Sequence, residues 1–543
     1  MTPKSTSRPP LPGSSDPSEG PFDTIVIGSG ISGLATAAAL SQTGDRVLVL
    51  EQHYQPGGFT HVFRRKNFEW DVGIHYIGTI HEKADWYLQL MALTGGNIEF
   101  EPLGDPVDKI RFPGLAVDMP GGYEAYKSVL ADTFPAEKDG INAYLDKIRD
   151  TRTRLRGYFT SSVPPRPLTR FARSFLVRTA HEAATVTTDD MMARYIADEQ
   201  LRDVLDAQWG NIGMPRKRCS FMAHAAMLGY YLESPPSYPV GGSSVFARYL
   251  GETIERNGSV IRVKASVEKI LVDGNRAVGV RLANGEEIAA RRVVSSAGAL
   301  NTYTKLLSDH PKIRPIAQRI EQLPLAYEYM NLFFGLDVSM SEFGIGRENY
   351  WIHREWNTNE DLFWDVENPQ EKGAPKIIFL NSSSQRDPEF GQHGNEGHNG
   401  QVIFIPQQGG FEKWQGSRWR KRSEDYEAAK KRMGDALIAA LDRHFPGMAS
   451  HIVHREVSTN LTYQHFSAHP RGVPYGIAPI PDRYRSLDLR PQTPIKNLFL
   501  CGQDLIMPGV SAAFGSAMMC TSLIRRKNMG SKLKKQGLAI LGL

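Results

Sequence analysis

The sequence has little cysteine and no residue arrangement typical of a metal site. Its 543 residues include three cysteines, Cys219, Cys501 and Cys520, and these form no CxxC pair. A disulfide framework and a zinc site both need more, and more closely spaced, ligands. We therefore predict neither, expect no bound metal, and find that a reducing cytoplasm fits this cysteine usage best.

Long apolar runs and clustered charge are also scarce. The chain contains no run of about 18 apolar residues, the length that a membrane-spanning helix requires. The net charge is only +5, without the clustered arginine and interleaved aromatic residues of nucleic-acid-binding proteins. Residues 1–21 are rich in Pro, Ser and Gly and lack the apolar core of a signal peptide. We expect these residues to form a disordered tail and exclude nucleic acid as a partner.

The C-terminal residues 531–543 combine lysines with an apolar tip. Two interpretations stay open: a frayed helix end with solvated lysines, or a tail that rests on an anionic membrane surface. Hydrophobic residues make up 41% of the chain and charged residues 23%, as in an ordinary globular protein. A chain of this length divides into two or three domains.

A glycine-rich motif stands between a predicted strand and a predicted helix near the N-terminus. The apolar run 23–27 leads into GSGISG at residues 28–33, the Ala-rich stretch 34–40 follows, and a second strand, 46–50, ends at Glu51. This order is that of a dinucleotide-binding βαβ unit. In such a unit Gly28 permits the tight turn, Gly30 lets backbone approach the pyrophosphate, and Gly33 allows close helix packing.

Glu51 and the loop after it narrow the choice of dinucleotide. A carboxylate at the end of the second strand accepts hydrogen bonds from the adenosine ribose and disfavours a ribose phosphate, which indicates FAD or NAD rather than NADP. A second glycine pair, Gly57 and Gly58, lies in QHYQPGGFT at residues 52–60. A glycine loop directly after the ribose-binding acid suits the flavin side of FAD, so we predict FAD.

These motifs, together with DVGIHYIG at residues 71–78, resemble the phytoene desaturase-type branch of FAD-dependent, amine-oxidase-like flavoproteins. DVGIHYIG resembles most narrowly the retinol saturases and their carotenoid isomerase relatives. The resemblance covers residues 22 to about 535. It implies an α/β fold with a Rossmann-like FAD-binding domain of the GR2, amine-oxidase type and an inserted α+β substrate domain.

The implied domains are discontinuous in sequence. Residues 22–78, 239–300 and 485–530 are predicted to form the FAD-binding domain, and residues 79–238 and 301–484, which lack a βαβ pattern, the substrate domain. Within the second nucleotide segment we predict a helix to about residue 256, strands at 259–263, 267–272, 277–282 and 287–290, and a separate buried strand at 292–298.

By resemblance, backbone at Val267 meets the adenine, Ala297 and Gly298 lie near the adenosine, Asp504 binds the ribityl hydroxyls, and the N–H of Val510 faces the flavin pyrimidine. The complete set of predicted cofactor-binding residues comprises Gly28, Ser29, Gly30, Ile31, Ser32, Gly33, Glu51, Gln52, Gly57, Gly58, Phe59, Thr60, Gly73, Ile74, His75, Val267, Ala297, Gly298, Gly502, Asp504, Gly509, Val510 and Ala513.

His75 and Tyr76 are the candidates for positioning a substrate or donating a proton. A histidine can supply a proton between pH 5 and 8, whereas a tyrosine with its ordinary pKa of about 10 acts as a neutral donor. His75 has a second interpretation, that it only hydrogen-bonds backbone beside the flavin. Aromatic and methionine residues of the substrate segments, among them Tyr329, Phe333 and Trp351, either line an apolar tunnel for a polyene or belong to the ordinary core.

Three functions compete at this point. The first is an FAD-dependent saturase or reductase of a retinoid-like polyene, and the second a carotenoid cis–trans isomerase or desaturase on the same scaffold. The third is a prenyl-binding escort protein without flavin, similar to Rab GDP-dissociation inhibitors. Electrons would come from a separate donor protein or from transient docking of NAD(P)H, and peripheral membrane contact is expected because such substrates dissolve in lipid.

Overall fold

The computed structural model describes residues 21–357, 364–367, 369, 374–392 and 397–543. The predicted disordered tail lies outside the described residues, apart from Pro21. The strands of the described part are β1 (Phe22–Ile27), β2 (Val47–Leu50), β3 (Val62–Arg65), β4 (Phe68–Asp71), β5 (Phe100–Pro102), β6 (Asp108–Phe112), β7 (Leu115–Met119), β8 (Ser237–Pro239), β9 (Val260–Arg262), β10 (Val267–Asp273), β11 (Arg276–Leu282), β12 (Glu287–Ser295), β13 (Met330–Leu336), β14 (Asn349–His353), β15 (Ile377–Asn381), β16 (His398–Phe404), β17 (Ile452–Ser458) and β18 (Leu498–Leu500).

The α-helices of the same residues are α1 (Ile31–Ser41), α2 (Asp85–Thr94), α3 (Tyr123–Thr133), α4 (Lys138–Thr160), α5 (Arg166–Phe171), α6 (Arg178–Thr185), α7 (Thr188–Met192), α8 (Glu199–Asp206), α9 (Phe221–Leu232), α10 (Val245–Arg256), α11 (Ala299–Asn301), α12 (Arg314–Glu321), α13 (Glu424–His444), α14 (Asn460–Ser467), α15 (Pro481–Arg485), α16 (Val510–Arg525) and α17 (Met529–Ile540). No helix among them is long and apolar enough to cross a membrane.

The first sheet has a parallel part and an antiparallel part. β1 lies between β12 and β2, β9 extends the sheet beyond β2, and β18 pairs with β12, all in parallel. Helices α1, α10 and α16 share an apolar cluster with residues of these strands. β1 and β2 are almost wholly buried, as expected for parallel strands covered on both faces. The turns that follow β1, β2, β12 and β18 therefore meet at one edge of the sheet.

The two strands predicted at 287–290 and 292–298 are a single strand, β12. Its first residues pair antiparallel with β11 and alternate between exposed and half-buried, whereas its last three are buried and pair with β1 and β18. No turn residue separates the two parts of β12. The strand passes without a break from a part that is exposed on one face to a part that is covered on both faces. The prediction of two strands was wrong for this reason.

The second sheet has the order β17–β13–β16–β15–β14–β6–β7 and is antiparallel except for the parallel pair β14 and β6. Its two faces differ because side chains of a strand alternate. Leu332 and Phe334 of β13 pack in one cluster with Leu437 and Leu441 of α13. Phe333, between them, points to the opposite face, which lines the cavity described below.

Two segments contact parts of the molecule that the sequence did not indicate. The hairpin β3–β4, predicted within the FAD-binding domain, packs on the second sheet, where the Trp70 indole N–H donates to Phe334 O at 3.1 Å and to Gly400 O at 3.2 Å. The predicted C-terminal tail, 531–543, is mostly helix α17. Leu533 is buried, and a Cβ on Gly537 would lie 1.9 Å from Leu88 O of α2, so the two helices are in close contact. A frayed helix end was the wrong expectation, because Leu533 and Gly537 pack against the body of the protein, while Ile540 and Leu543 at the tip stay exposed.

Candidate active site

A cavity of about 830 Å³ extends from the carboxyl edge of the first sheet to the inner face of the second sheet. Gly28, Glu51 and Gly502 belong to its wall at the first sheet, and Phe333 and Phe379 to its wall at the second. Its volume lies in the upper part of the range of small-molecule sites, roughly 300–1,000 Å³. The cavity thus joins the predicted nucleotide site to the predicted substrate region.

Most of the residues predicted to bind the cofactor line this cavity. These are Gly28, Gly30, Ile31, Ser32, Glu51, Gln52, Gly58, Phe59, Thr60, Gly73, Ile74, His75, Val267, Ala297, Gly298, Gly502, Asp504, Gly509, Val510 and Ala513. Ser29, Gly33 and Gly57 lie behind the wall and support it. The structure brings the predicted set together, while the role of each residue stays a prediction.

The turn between β1 and α1 is built for close approach of a ligand. Gly28 has a φ of +93°, and a Cβ on Gly33 would lie 2.0 Å from Gly28 O, so helix and strand could not pack so closely with any side chain there. A Cβ on Gly30 would meet no atom within 4 Å, because this position faces open space. The N-terminus of α1, which favours negative charge, is therefore accessible from the cavity.

Glu51 is buried, and its carboxylate joins the two strands of the βαβ unit. One oxygen, Oε2, accepts hydrogen bonds from the backbone N–H of Ser29 at 2.8 Å and from its hydroxyl at 2.6 Å. The other, Oε1, accepts one from the N–H of His53 at 2.8 Å. A carboxylate oxygen accepts about two hydrogen bonds, so Oε2 is fully used and Oε1 keeps one further acceptor position. The side chain is thus fixed at the cavity wall and still able to bind a hydroxyl group.

The second glycine pair packs against the first glycine turn. The N–H of Gly57 donates to Ser29 O at 3.1 Å. Gly57 and Gly58 have φ values of +122° and +55°, and a Cβ on Gly58 would lie 3.0 Å from the Cα of Gly30. Only glycine accepts this combination of left-handed backbone and close contact without strain. The two loops form one rigid floor under the cavity.

The C-terminal turn closes the opposite side. Asp504 accepts hydrogen bonds from the N–H of Ala299 at 2.8 Å and of Ile477 at 3.4 Å, and so ties the turn after β12 to the turn after β18. Gly509, with a φ of +117°, precedes the first residue of α16, Val510. The free N–H groups at the start of this helix thus lie at the cavity wall, where Val510 and Ala513 also line it.

His75 lines the cavity, but its expected titration between pH 5 and 8 is wrong. Burial, and then the positive charge of Arg386, lower its pKa to about 3, while Asn381 opposes the shift. Arg386 is buried and donates to the backbone O of His75 at 2.7 Å and to Asn349 Oδ1 at 2.6 Å. His75 is therefore a neutral imidazole at neutral pH, held in place by a buried cation beneath it.

Tyr76 does not reach the cavity, which corrects its proposed catalytic position. Its ring stacks on that of Tyr231 with centroids 4.3 Å apart, and its hydroxyl accepts a hydrogen bond from Asn211 Nδ2 at 2.8 Å. Burial raises its pKa well above the usual value. His75 therefore faces the cavity, whereas Tyr76 packs behind it.

Several residues of the cavity wall were not predicted from the sequence. Asn331, Ile403, Tyr463, His469 and Tyr475 line the wall across from the glycine loops. The Phe59 ring lies between two of them, with its centroid 5.8 Å from that of Tyr463 and 5.2 Å from that of His469. The alternation in β13 and β16 was the one available signal, since Asn331 and Ile403 have inward-facing positions. Tyr463, His469 and Tyr475 follow no local motif.

The residues present fit an FAD molecule. The accessible positive end of α1, the buried acceptor Glu51 and the glycine floor match a dinucleotide, and Asp504 with the start of α16 lies farther along the same cavity. No group of three His, Cys, Asp or Glu side chains suited to a metal ion occurs in the described ranges.

Comparison with known proteins agrees with this assignment. The sequence profile of flavin containing amine oxidoreductases matches residues 31–334. The all-trans-retinol 13,14-reductase of Danio rerio is 31% identical over 530 residues, which cover 94% of this chain and 86% of that protein. Prolycopene isomerase 2 of an Oncidium hybrid cultivar is 29% identical, with 92% and 83% coverage.

The fold is shared with solved amine oxidases. A triple mutant of putrescine oxidase superposes with a TM-score of 0.63 at 14% identity, over 93% of this chain and 99% of that one. The chain belongs to the flavin-containing amine oxidoreductase family. Its fold is the Rossmann-like FAD-binding fold of the amine-oxidase type, and it is an FAD-dependent oxidoreductase whose sequence matches the retinol reductase and carotenoid isomerase branch.

Proposed function

We propose that the protein reduces a carbon–carbon double bond of a hydrophobic polyene, as a flavin-dependent saturase. One observation supports this above the others: a single cavity joins the glycine floor of the nucleotide site to an apolar wall made by Phe333, Trp351 and Phe379. The relative with 31% identity is named for the reduction of all-trans-retinol, a polyene alcohol. A retinoid-like lipid is thus the proposed substrate class.

The chain's own residues would hold the cofactor as follows. Gly28, Gly30 and the start of α1 receive the pyrophosphate, and Glu51 accepts hydrogen bonds from the ribose hydroxyls. Asp504 binds the ribityl chain, and the N–H groups from Val510 onward face the pyrimidine ring. When bound, FAD supplies hydride transfer.

The remaining task of the protein is to place the alkene and to exclude water. Saturation of one double bond consumes two electrons and two protons, so one hydrogen arrives as hydride and the other as a proton. The aromatic side chains of β13, β14 and β15 form a dry surface for an extended apolar chain. Neutral His75, which Arg386 holds through its backbone O, acts as a positioning group at the cavity wall.

Electrons must reach the flavin from outside the chain. The two candidate sources of these electrons are a separate donor protein and NAD(P)H that docks transiently. A second function, cis–trans isomerisation of a carotenoid, is supported by the relative named prolycopene isomerase and needs no net supply of electrons. Desaturation, the other alternative on this scaffold, removes a hydride and a proton from the substrate, so it reduces the flavin and needs an electron acceptor. The flavin-free escort function loses its support, since the family is one of flavoenzymes.

The test uses the purified holoprotein under anaerobic conditions. The protein is reduced with dithionite, mixed with all-trans-retinol, and the products are separated by chromatography and weighed by mass spectrometry. We expect a product that has gained two hydrogen atoms, and no such product when the flavin is left oxidised. A product of unchanged mass but altered retention would identify an isomerase, and a product lacking two hydrogens, formed by the protein with its flavin left oxidised, a desaturase. A colourless protein that takes up no FAD would disprove the cofactor assignment.

A further inference from the structure

Large apolar side chains that face solvent are concentrated in one short segment. Among the described residues, eight large hydrophobic side chains are conspicuously exposed, and four of these lie within nine residues: Leu168 at 58%, Phe171 at 56%, Phe175 at 70% and Leu176 at 75%. They belong to α5 and to the π turn Ala172–Leu176 that follows it. Single exposed hydrophobic residues need no explanation, but a contiguous group marks an interaction surface.

The segment is held with its polar residues inward and its apolar residues outward. Thr169 is buried and its hydroxyl donates to Pro164 O at 3.0 Å. Arg173 is also buried, donates to Tyr484 O at 2.9 Å and to Ser162 Oγ at 3.0 Å, and lies 5.0 Å from the centre of the Tyr158 ring. These two anchors fix the inner face.

The outer face forms one apolar surface. Phe171 and Phe175 are four residues apart, and their ring centroids are 5.0 Å from each other. This arrangement reverses the usual amphipathic pattern, in which apolar residues face the core. Because the anchors hold it, the exposure of these residues is a fixed feature of the fold.

Positive charge borders the apolar surface. Arg170 and Arg178 are exposed and form no salt bridge with any described residue, whereas Arg166 pairs with Asp488. No acidic residue occurs between positions 166 and 181. Apolar side chains flanked by free arginines match the interfacial layer of an anionic bilayer, where the rings enter the acyl region and the guanidinium groups remain at the headgroups.

We propose that residues 168–178 dock the protein on the surface of an anionic lipid membrane. Two further exposed apolar residues, Ile540 at the end of α17 and Leu543 after it, lie near the C-terminus, but Lys534 of α17 pairs with Asp85, and the helix is packed on α2. The docking surface is thus not the one that the C-terminal sequence suggests. The proposal is independent of the substrate, because membrane binding is measured without one.

The experiment measures binding of the FAD-loaded protein to vesicles by co-sedimentation. The vesicles consist of phosphatidylcholine alone or of phosphatidylcholine with phosphatidylserine. We expect the double variant Phe175→Ser, Leu176→Ser to bind the mixed vesicles about tenfold or more weakly, because each large apolar side chain contributes to transfer from water. The matched control, Ile540→Ser with Leu543→Ser, removes two exposed apolar residues elsewhere and should bind as the unmodified protein does.

Two further measurements make the outcome decisive. Arg170→Gln with Arg178→Gln should remove the preference for phosphatidylserine vesicles, and added salt should have the same effect. A Phe175→Trp variant should show a blue shift of its fluorescence on vesicles. Flavin absorbance and melting temperature verify that each variant is folded.

The proposal is overturned if the unmodified protein binds neither kind of vesicle, or if the C-terminal control loses binding and the Phe175/Leu176 variant keeps it. It is also overturned if the unmodified protein is a dimer in solution that the Phe175/Leu176 variant converts to monomers, since a second copy of the chain would then cover the surface.

Discussion

Three hydrogen-bond donors converge on the carboxylate of Glu51, and each of its two oxygens is used. Glu51→Gln replaces one carboxylate oxygen by an NH2 group. Whichever oxygen is replaced, the NH2 group then faces an N–H or O–H donor, from which it cannot accept a hydrogen bond. We expect the affinity for FAD to fall by about tenfold to a hundredfold. This change corresponds to the ~1–3 kcal/mol that a mispaired buried polar group costs. Titration of the apoprotein with FAD, followed by flavin fluorescence, measures the change.

Glu287→Gln serves as the control for the Glu51 variant, because it makes the same chemical change at an exposed position of β12. It should leave FAD binding unaltered. Equal affinities in the Glu51 variant and the unmodified protein would show that this carboxylate does not contact the cofactor.

For His75, the sequence predicted the position but not the charge. DVGIHYIG placed it beside the flavin loops, and the cavity does include it. Its neutrality comes from burial and then from Arg386, which lies 311 positions away and approaches only in the folded protein. No local pattern carries such a contact. The same reasoning explains Tyr463 and Tyr475, which become cavity residues by packing alone.

Elements with strong local signals were predicted from the sequence, and elements defined by their neighbours were not. The turn at Gly28 to Gly33 has a steric requirement that only glycine meets, so its motif is visible in the sequence. Strand β13 is buried along its whole length, and apart from Asn331 and Gly335 its residues are large and apolar, so its sequence shows only weakly which side faces the cavity. Helix α17 gave an ambiguous pattern because its partner, α2, lies far away in the chain.

The contact between α17 and α2 gives a test at the level of elements. Gly537→Val would bring side-chain carbon into the space now taken by Leu88 O, since the first added atom already falls 1.9 Å from it. We expect α17 to separate from α2 with a loss of ~1–3 kcal/mol of stability. Limited proteolysis should then remove the C-terminus, and the melting temperature should fall.

Ala539→Val introduces the same valine side chain on the exposed side of α17. It should resist proteolysis as the unmodified protein does. If Gly537→Val proved equally resistant, the helix would not be held by this contact, and its tip would be free to act as the tail that the sequence suggested.

At the scale of the whole molecule, strand pairing joins segments that are distant in sequence. The parallel pair β6 and β14 connects the two predicted substrate segments, and β4 packs on β16 and β13. The cavity therefore lies between two sheets that several crossings of the chain hold together. The exact domain boundaries stay predictions, but the site depends on both sheets at once.

Buried histidines make the stability of the whole molecule depend on pH. Burial lowers the pKa of His61 to about 4 and is the main cause of the pKa values of about 3 at His75 and His353. In the unfolded chain these groups take up protons near pH 6.5, so between that pH and their folded pKa the unfolded state binds more protons. Stability is therefore present above pH 6.5 and is lost as the pH falls. Burial raises the pKa values of Asp71 and Asp108 to about 6. These two carboxyl groups therefore act in the opposite direction between pH 4 and 6.

The three histidine shifts are larger and more numerous than the two carboxyl shifts, so we expect a lower melting temperature at pH 5 than at pH 7 in the presence of excess FAD.

His353→Phe isolates the contribution of one histidine. The ring of His353 stacks on Phe112 with centroids 4.2 Å apart, and phenylalanine fits the same buried place. This variant should lose less stability between pH 7 and pH 5, by up to ~1.4 kcal/mol per pH unit for one proton. A melting temperature that rises on acidification would mean that the buried carboxyls, and not the histidines, govern the response of the fold to protons.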